Sequence, residues 1–129
     1  MTQTLEQRRA AHAWSRVEAL MQEPEDAADA YAREAKKMPV RVLTAGLGQA
    51  LAFINRKANQ EGLMRLSMDL THWVVNERRL PTMHQNSLVE SVVHGDATFL
   101  RRATDEALAY LVWLNRFLEA KGLPRKRDD

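Results

Sequence analysis

Apolar positions along this chain recur with a period near 3.6 residues, and no stretch alternates as a half-buried strand would. Ala10, Ala13, Trp14, Val17 and Met21 fall at helical spacing and predict a first helix over residues 3–22. Pro24 suits the opening position of a second helix, 24–37, whose inner face reads Ala28, Tyr31, Ala32 and Ala35. Acids at its start and Lys36 and Lys37 at its end complement the helix dipole. Pro39 disfavours helical geometry at Met38 and is expected to end it. A third helix, 39–58, carries no charge between Arg41 and Arg56, as expected of a buried central helix. Gly46 and Gly48 would sit inside it, each costing about 1 kcal/mol relative to Ala. Close approach of a neighbouring backbone would offset that cost.

The fourth helix, 63–79, aligns Leu63, Leu66, Leu70, Trp73 and Val74 on one face, with Glu77. A short fifth helix, 87–94, turns Leu88, Val89, Val92 and Val93 inward. Gly95 then serves as its C-cap and Asp96 as the next N-cap. The sixth, 97–121, bears a stripe of Phe99, Ala103, Ala107, Tyr110, Leu111, Leu114, Phe117 and Leu118. Gly122 and Pro124 stop it. The expected fold class is all-α, a single-domain bundle of about six helices with a buried central helix over residues 1–122. Residues 123–129 are expected to form a disordered C-terminal tail.

With 129 residues the chain is one domain by size and long enough to bury a core without covalent staples. It has no cysteine, which excludes disulfides, Cys-ligated zinc and thiol catalysis. The first nine residues are polar and lack the apolar core of a signal peptide. The longest apolar stretch, 42–54, is interrupted by Thr44, Gly46, Gly48 and Gln49 and is too short to span a bilayer. A cytoplasmic protein without a membrane partner is expected. The net charge of +2 is too small to attract nucleic acid in bulk, although fourteen of the 19 basic residues are arginines, whose planar forks suit phosphate.

Candidate catalytic chemistry is sparse. The histidines at 12, 72, 84 and 94 form no pair three or four apart, and no Glu-x-x-His pair occurs, so neither a metal nor another cofactor is expected. Asp69 and His72, three apart, read as a surface polar pair. Glu25/Asp26 and Asp105/Glu106 read as solvated acids. Gly46-x-Gly48 lacks the preceding strand that a dinucleotide fingerprint needs.

The basic residues say more. At 100° per residue, Arg8, Arg9, His12 and Arg16 share an arc opposite Trp14 and Val17, hence an outward face. Such a stripe can track phosphates, although spacing alone favours an ordinary solvated face. Lys36, Lys37 and Arg41 surround the turn between helices 2 and 3, where dipole complementation also accounts for them. Arg78-Arg79 and Arg101-Arg102 point apart within each pair and make diffuse patches. The residues by themselves indicate a helical bundle with arginine-bearing faces and no enzyme.

Three segments extend this reading. They are TLEQRRA at 4–10, PVRVLTAGLGQALAF at 39–53 and ATDEALAYLVWLNRFLEA at 103–120. In this order the chain resembles the small subunit family of the Cmr complex, the type III-B CRISPR RNA-targeting effector, over residues 4–120. Helices 4 and 5 match less distinctly. The resemblance implies a non-catalytic subunit whose copies stack into a short filament. Its partners would be the other Cmr subunits, guide RNA and target RNA, and its role antiviral defence. It also shifts the balance for the basic groups toward RNA contact by Arg8, Arg9, Arg16, Lys36, Lys37 and Arg41. Trp113 and Arg116 would suit a subunit interface. The alternatives are a purely structural scaffold without RNA contact and, less in keeping with the residues, a metal-dependent nuclease built on Asp69 or Glu77.

Overall fold

A computed structural model describes residues 2–55, 60–82 and 87–126, and every regular element among them is helical. Six α-helices follow in order: α1 (Leu5–Leu20), α2 (Glu25–Ala45), α3 (Leu47–Asn55), α4 (Glu61–Thr71), α5 (Leu88–His94) and α6 (Ala97–Ala120). Among the described residues, no helix is long and apolar enough to cross a membrane. The all-α single-domain bundle is as the periodicity implies.

Local chemistry sets the helix starts. Thr4 caps α1 by accepting from the Gln7 backbone while the Gln7 side chain accepts from Thr4 N–H, a reciprocal capping box. Ser87 and Asp96 cap α5 and α6, each accepting from the backbone N–H three residues on. Cores of this kind form by stacking apolar stripes. The stripes here join Val17 and Leu20 of α1, Tyr31 and Met38 of α2, Leu51 and Ile54 of α3, and Leu66 and Leu70 of α4 with Leu111 and Leu114 of α6.

The middle of the bundle is α2, which packs against α3, α4 and α6, while α1 lies mainly along α6. That corrects the reading of 39–58 as one buried central helix. Pro39 does not end α2 but sits inside it, and the helix runs on to Ala45. A proline within a helix frees the carbonyl four residues earlier. That carbonyl belongs to Ala35, and Asn115 of α6 donates its Nδ2 to it at 3.0 Å. Tertiary packing thus supplies the hydrogen bond the proline removes.

The break comes at Gly46, whose φ of 92° is a conformation that favours glycine. The charge-free segment is therefore two helix pieces, and it is not buried all round: Leu43 is 74% exposed, as is Val40 just before it at 63%. Nor do Gly46 and Gly48 mark a close backbone approach. A Cβ at Gly46 would meet nothing within 4 Å, and one at Gly48 only the Val92 side chain at 3.4 Å. The close approach is at Gly62, where a Cβ would lie 2.3 Å from the Ala27 carbonyl oxygen of α2.

Two further elements depart from the pattern. The fourth helix changes gauge after Thr71. Residues His72–Glu77 form a π-helical segment, closed by an i→i+5 bond from Arg78 N–H to the Trp73 carbonyl at 2.9 Å. The wider turn buries Trp73, Val74 and Val75 in succession and leaves Glu77 exposed. In α5, Leu88 and Ser91 face inward, whereas Val93 is exposed, because only one side of so short a helix meets the bundle. The segment after α6 is docked as far as Lys126: Leu123 is buried, and Asp29 of α2 accepts from Arg125 and Lys126 N–H at 2.8 and 3.3 Å. His84, the end of the third predicted helix beyond Asn55 and the last three tail residues lie outside the described residues.

Candidate functional site

The polar chemistry of the molecule gathers where α1, the π-helical segment and α6 meet. Glu106 of α6 is 4% exposed and accepts four hydrogen bonds. Arg9 grips it with Nε at 2.6 Å and Nη2 at 3.0 Å, Arg78 Nε donates at 2.6 Å and Trp73 Nε1 at 2.9 Å. Burial alone would raise the pKa of this carboxyl. The donors from Arg9, Arg78 and Trp73 outweigh burial and hold it at about 2, against a usual 4.5. Arg9 also pairs with Glu6, which accepts from Trp113 Nε1 at 2.9 Å. Arg8 reaches the Glu77 carbonyl at 3.4 Å and lies over the Trp73 ring.

A second chain of contacts runs beside the first. The Tyr31 hydroxyl donates to Asp69 Oδ2 at 2.7 Å, and Arg16 Nε lies 3.7 Å from Asp69 Oδ1, an ion pair too long for a hydrogen bond. Arg16 Nη2 is 3.1 Å from His72 Nδ1, His12 Nε2 is 2.8 Å from the same atom, and His12 Nδ1 is 2.6 Å from the Tyr110 hydroxyl. The ring-nitrogen roles depend on the tautomers, and because a guanidinium only donates, one neutral arrangement suits all three contacts, with the single Nδ1 lone pair of His72 shared between Arg16 and His12. His72 Nδ1 accepts, His12 carries its proton on Nε2, and Tyr110 donates to His12 Nδ1. The two imidazoles stack with centroids 5.1 Å apart, and Trp73 stacks on Tyr110 at 5.5 Å. Burial, then the charge of Arg16 and the neighbouring His72, lower His12 to a pKa of about 4, so it is neutral near pH 7. Burial pushes Asp69 up despite its hydrogen bond from Tyr31, and drives Tyr31 and Tyr110 well above the usual tyrosine range.

These contacts relocate several predicted residues. The arc of Arg8, Arg9, His12 and Arg16 does not face outward. Arg9, His12 and Arg16 are partly buried between helices, and only Arg8 is exposed. Arg9 and Arg16 lie four before and three after Ala13, so they flank the buried stripe of α1. Asp69 is not part of a surface pair, and Glu106 is not solvated. On α2, by contrast, Lys36 and Lys37 are exposed on the side away from Ala35 and Met38. Arg41 pairs with the buried Glu34 at 2.6 Å, its guanidinium 3.9 Å from the Phe53 ring centre. The six expected RNA-contacting residues therefore occupy two separate regions.

Sequence reasoning missed Glu106, Tyr31 and Tyr110 as network members, yet a signal existed. Phe99, Ala103, Glu106 and Tyr110 keep inner-face spacing, as do Leu66, Asp69 and Trp73. Buried Tyr and Trp need partners for their polar ends, so an acid on such a stripe is the natural acceptor. The network joins α1 to the rest of the bundle. Among the described residues, no group of three or more His, Asp or Glu side chains is placed to hold a metal ion.

Known proteins resemble the chain in both sequence and shape. No curated protein matches it. The crystal structure of a CRISPR-associated Cmr5 family protein from Thermus thermophilus is similar at 29% identity and a TM-score of 0.73, over 92% of this chain and 97% of that one. The family described as CRISPR-associated protein (Cas_Cmr5) matches residues 5–121, from the first residue of α1 to the C-cap of α6. A match that spans all six helices, joined to the same architecture in a solved relative, places this chain in the CRISPR-associated Cmr5 family.

Proposed function

We propose that this chain is a non-catalytic small subunit of a type III-B CRISPR effector ribonucleoprotein, working in the cytoplasm in antiviral defence. The observation that carries the reading is the family match across the whole bundle. Copies stack into a short filament beside the other Cmr subunits and help hold the duplex of guide and target RNA. RNA contact is electrostatic and independent of sequence, since base pairing within the duplex already reads sequence. Lys36 and Lys37 are the leading phosphate contacts because both are exposed on the outer side of α2. Arg8 and Arg41 reinforce them from partly engaged positions, while Arg9 and Arg16 contribute by holding α1 in place. One copy binds weakly, and several copies in a filament add through effective concentration.

A tagged copy expressed in its host and purified at low salt is expected to bring down a multi-protein particle carrying discrete guide-length RNA. A lone protein without RNA contradicts the reading. The purely structural alternative draws support from the exposed Val40 and Leu43 beside the α2–α3 break, which suit protein contact. It predicts that reversing surface charge leaves RNA binding intact.

A further inference from the structure

A cleft of about 620 Å³ opens between α1, the end of α3, α4 with its π-helical extension, and the start of α5. It lies within the size range of small-molecule sites. Most of its lining carries hydrogen-bonding side chains, among them Asn55, Ser67 and Ser87, with the outer edges of Arg16 and His72. The lining is charge-balanced, because Asp69 stands in the same wall as Arg16, 3.7 Å from its Nε. A free anion gains little from a cation already faced by a carboxylate.

The remaining groups are amides and hydroxyls that both donate and accept. Ser67 Oγ donates to Asn55 Oδ1 at 2.7 Å, which turns the Asn55 amide so that its Nδ2 is the end left to donate. The side chain of His72 is 41% exposed, one imidazole face being stacked on His12, and the exposed Met68 adds a polarisable thioether. A planar, uncharged ring with donors and acceptors around its edge matches this set. Unpaired nucleobases are recognised by such a combination of edge hydrogen bonds and stacking on imidazole or similar faces.

We infer that this cleft takes one unstacked nucleobase of bound RNA, with the phosphates remaining outside it. The inference rests on the RNA-binding reading above. It adds a contact that a uniform duplex lacks.

Two measurements on the full chain decide it. Fluorescence anisotropy compares a perfect RNA duplex with the same duplex bearing one unpaired uridine and with one bearing an abasic bulge. The uridine bulge is expected to bind about tenfold tighter than the other two, the scale of one stacked base. Asn55→Asp, which keeps shape but removes the donor, and Ser67→Leu, which fills the cleft, should each erase that preference, and Ser67→Leu, which adds no charge, should leave perfect-duplex affinity unchanged. Equal affinity for all three RNAs overturns the cleft assignment while the duplex reading stands. Separately, millimolar uridine or adenosine should shift the His72 imidazole NMR signals, and less so in Asn55→Asp. Unmoved signals overturn the assignment even if the isolated chain binds no RNA, a result that would itself count against the duplex reading.

Discussion

The seam around Glu106 and the outer face of α2 use the same kind of residue for opposite ends. In the seam, Arg9 and Arg78 are neutralised by a carboxylate that is 4% exposed, and Trp73 completes its shell. On α2, Lys36 and Lys37 stand at the surface above a buried face of Ala35 and Met38. Cations spaced along one helix do not announce which case applies. The neighbour does. An arginine whose helix face meets an acid-bearing helix joins the fold, and a lysine on an outer helix face keeps its side chain at the surface.

The largest effect should come from breaking the seam. Glu106→Ala leaves two guanidiniums and an indole N–H without their shared acceptor in a mostly buried site, and should cost about 3–5 kcal/mol in a denaturant titration. A loss below about 1 kcal/mol would mean water already satisfies those groups. Next is the contact between α2 and α4. Gly62→Ala places a methyl 2.3 Å from the Ala27 carbonyl oxygen, and overpacking there should cost about 1–3 kcal/mol, against little packing penalty at Gly48.

The pH dependence of stability sharpens the contrast without mutation. Above pH 6.5 His12 is neutral both folded and unfolded. Below it the unfolded chain takes up a proton that the folded chain refuses until about pH 4. Stability should therefore fall as pH drops from 6.5 toward 4, and His12→Gln should flatten that decline. Glu106, ionised down to about pH 2 in the fold, extends the loss below pH 4.5, while the raised Asp69 opposes part of it. Thermal melts at several pH values read the profile. The smallest stability effect is predicted for Lys36→Glu with Lys37→Glu, within about 0.5 kcal/mol, because neither side chain is buried.

Much of the fold was legible. Helix count, fold class and the inner faces of α2, α4 and α6 follow from 3.6-residue spacing, since burying such stripes is what assembles a bundle. The α2–α3 boundary was not, because Pro39 is a breaker only when the carbonyl it frees finds no donor, and Asn115 comes from 80 residues away. The π-helical segment was equally hidden, as no local residue distinguishes it from the helix it extends. At the candidate site, the sequence puts the lysines at a helix end beside a turn, whereas α2 runs on to Ala45 and puts them in mid-helix, away from its C-terminal dipole. The burial of Arg9 and Arg16 could not be read from spacing, because their partners Glu106 and Asp69 lie on helices whose register against α1 only the packing sets.

The most direct test of this division of labour is the salt dependence of affinity for a guide–target RNA duplex. It compares the wild-type chain with the doubly reversed Lys36→Glu, Lys37→Glu variant. The account predicts a folded variant of unchanged stability, with weaker binding and a log affinity against log salt slope shallower by about two, roughly one for each lost phosphate contact. Unchanged affinity and slope would contradict it and move RNA contact, if any, away from α2.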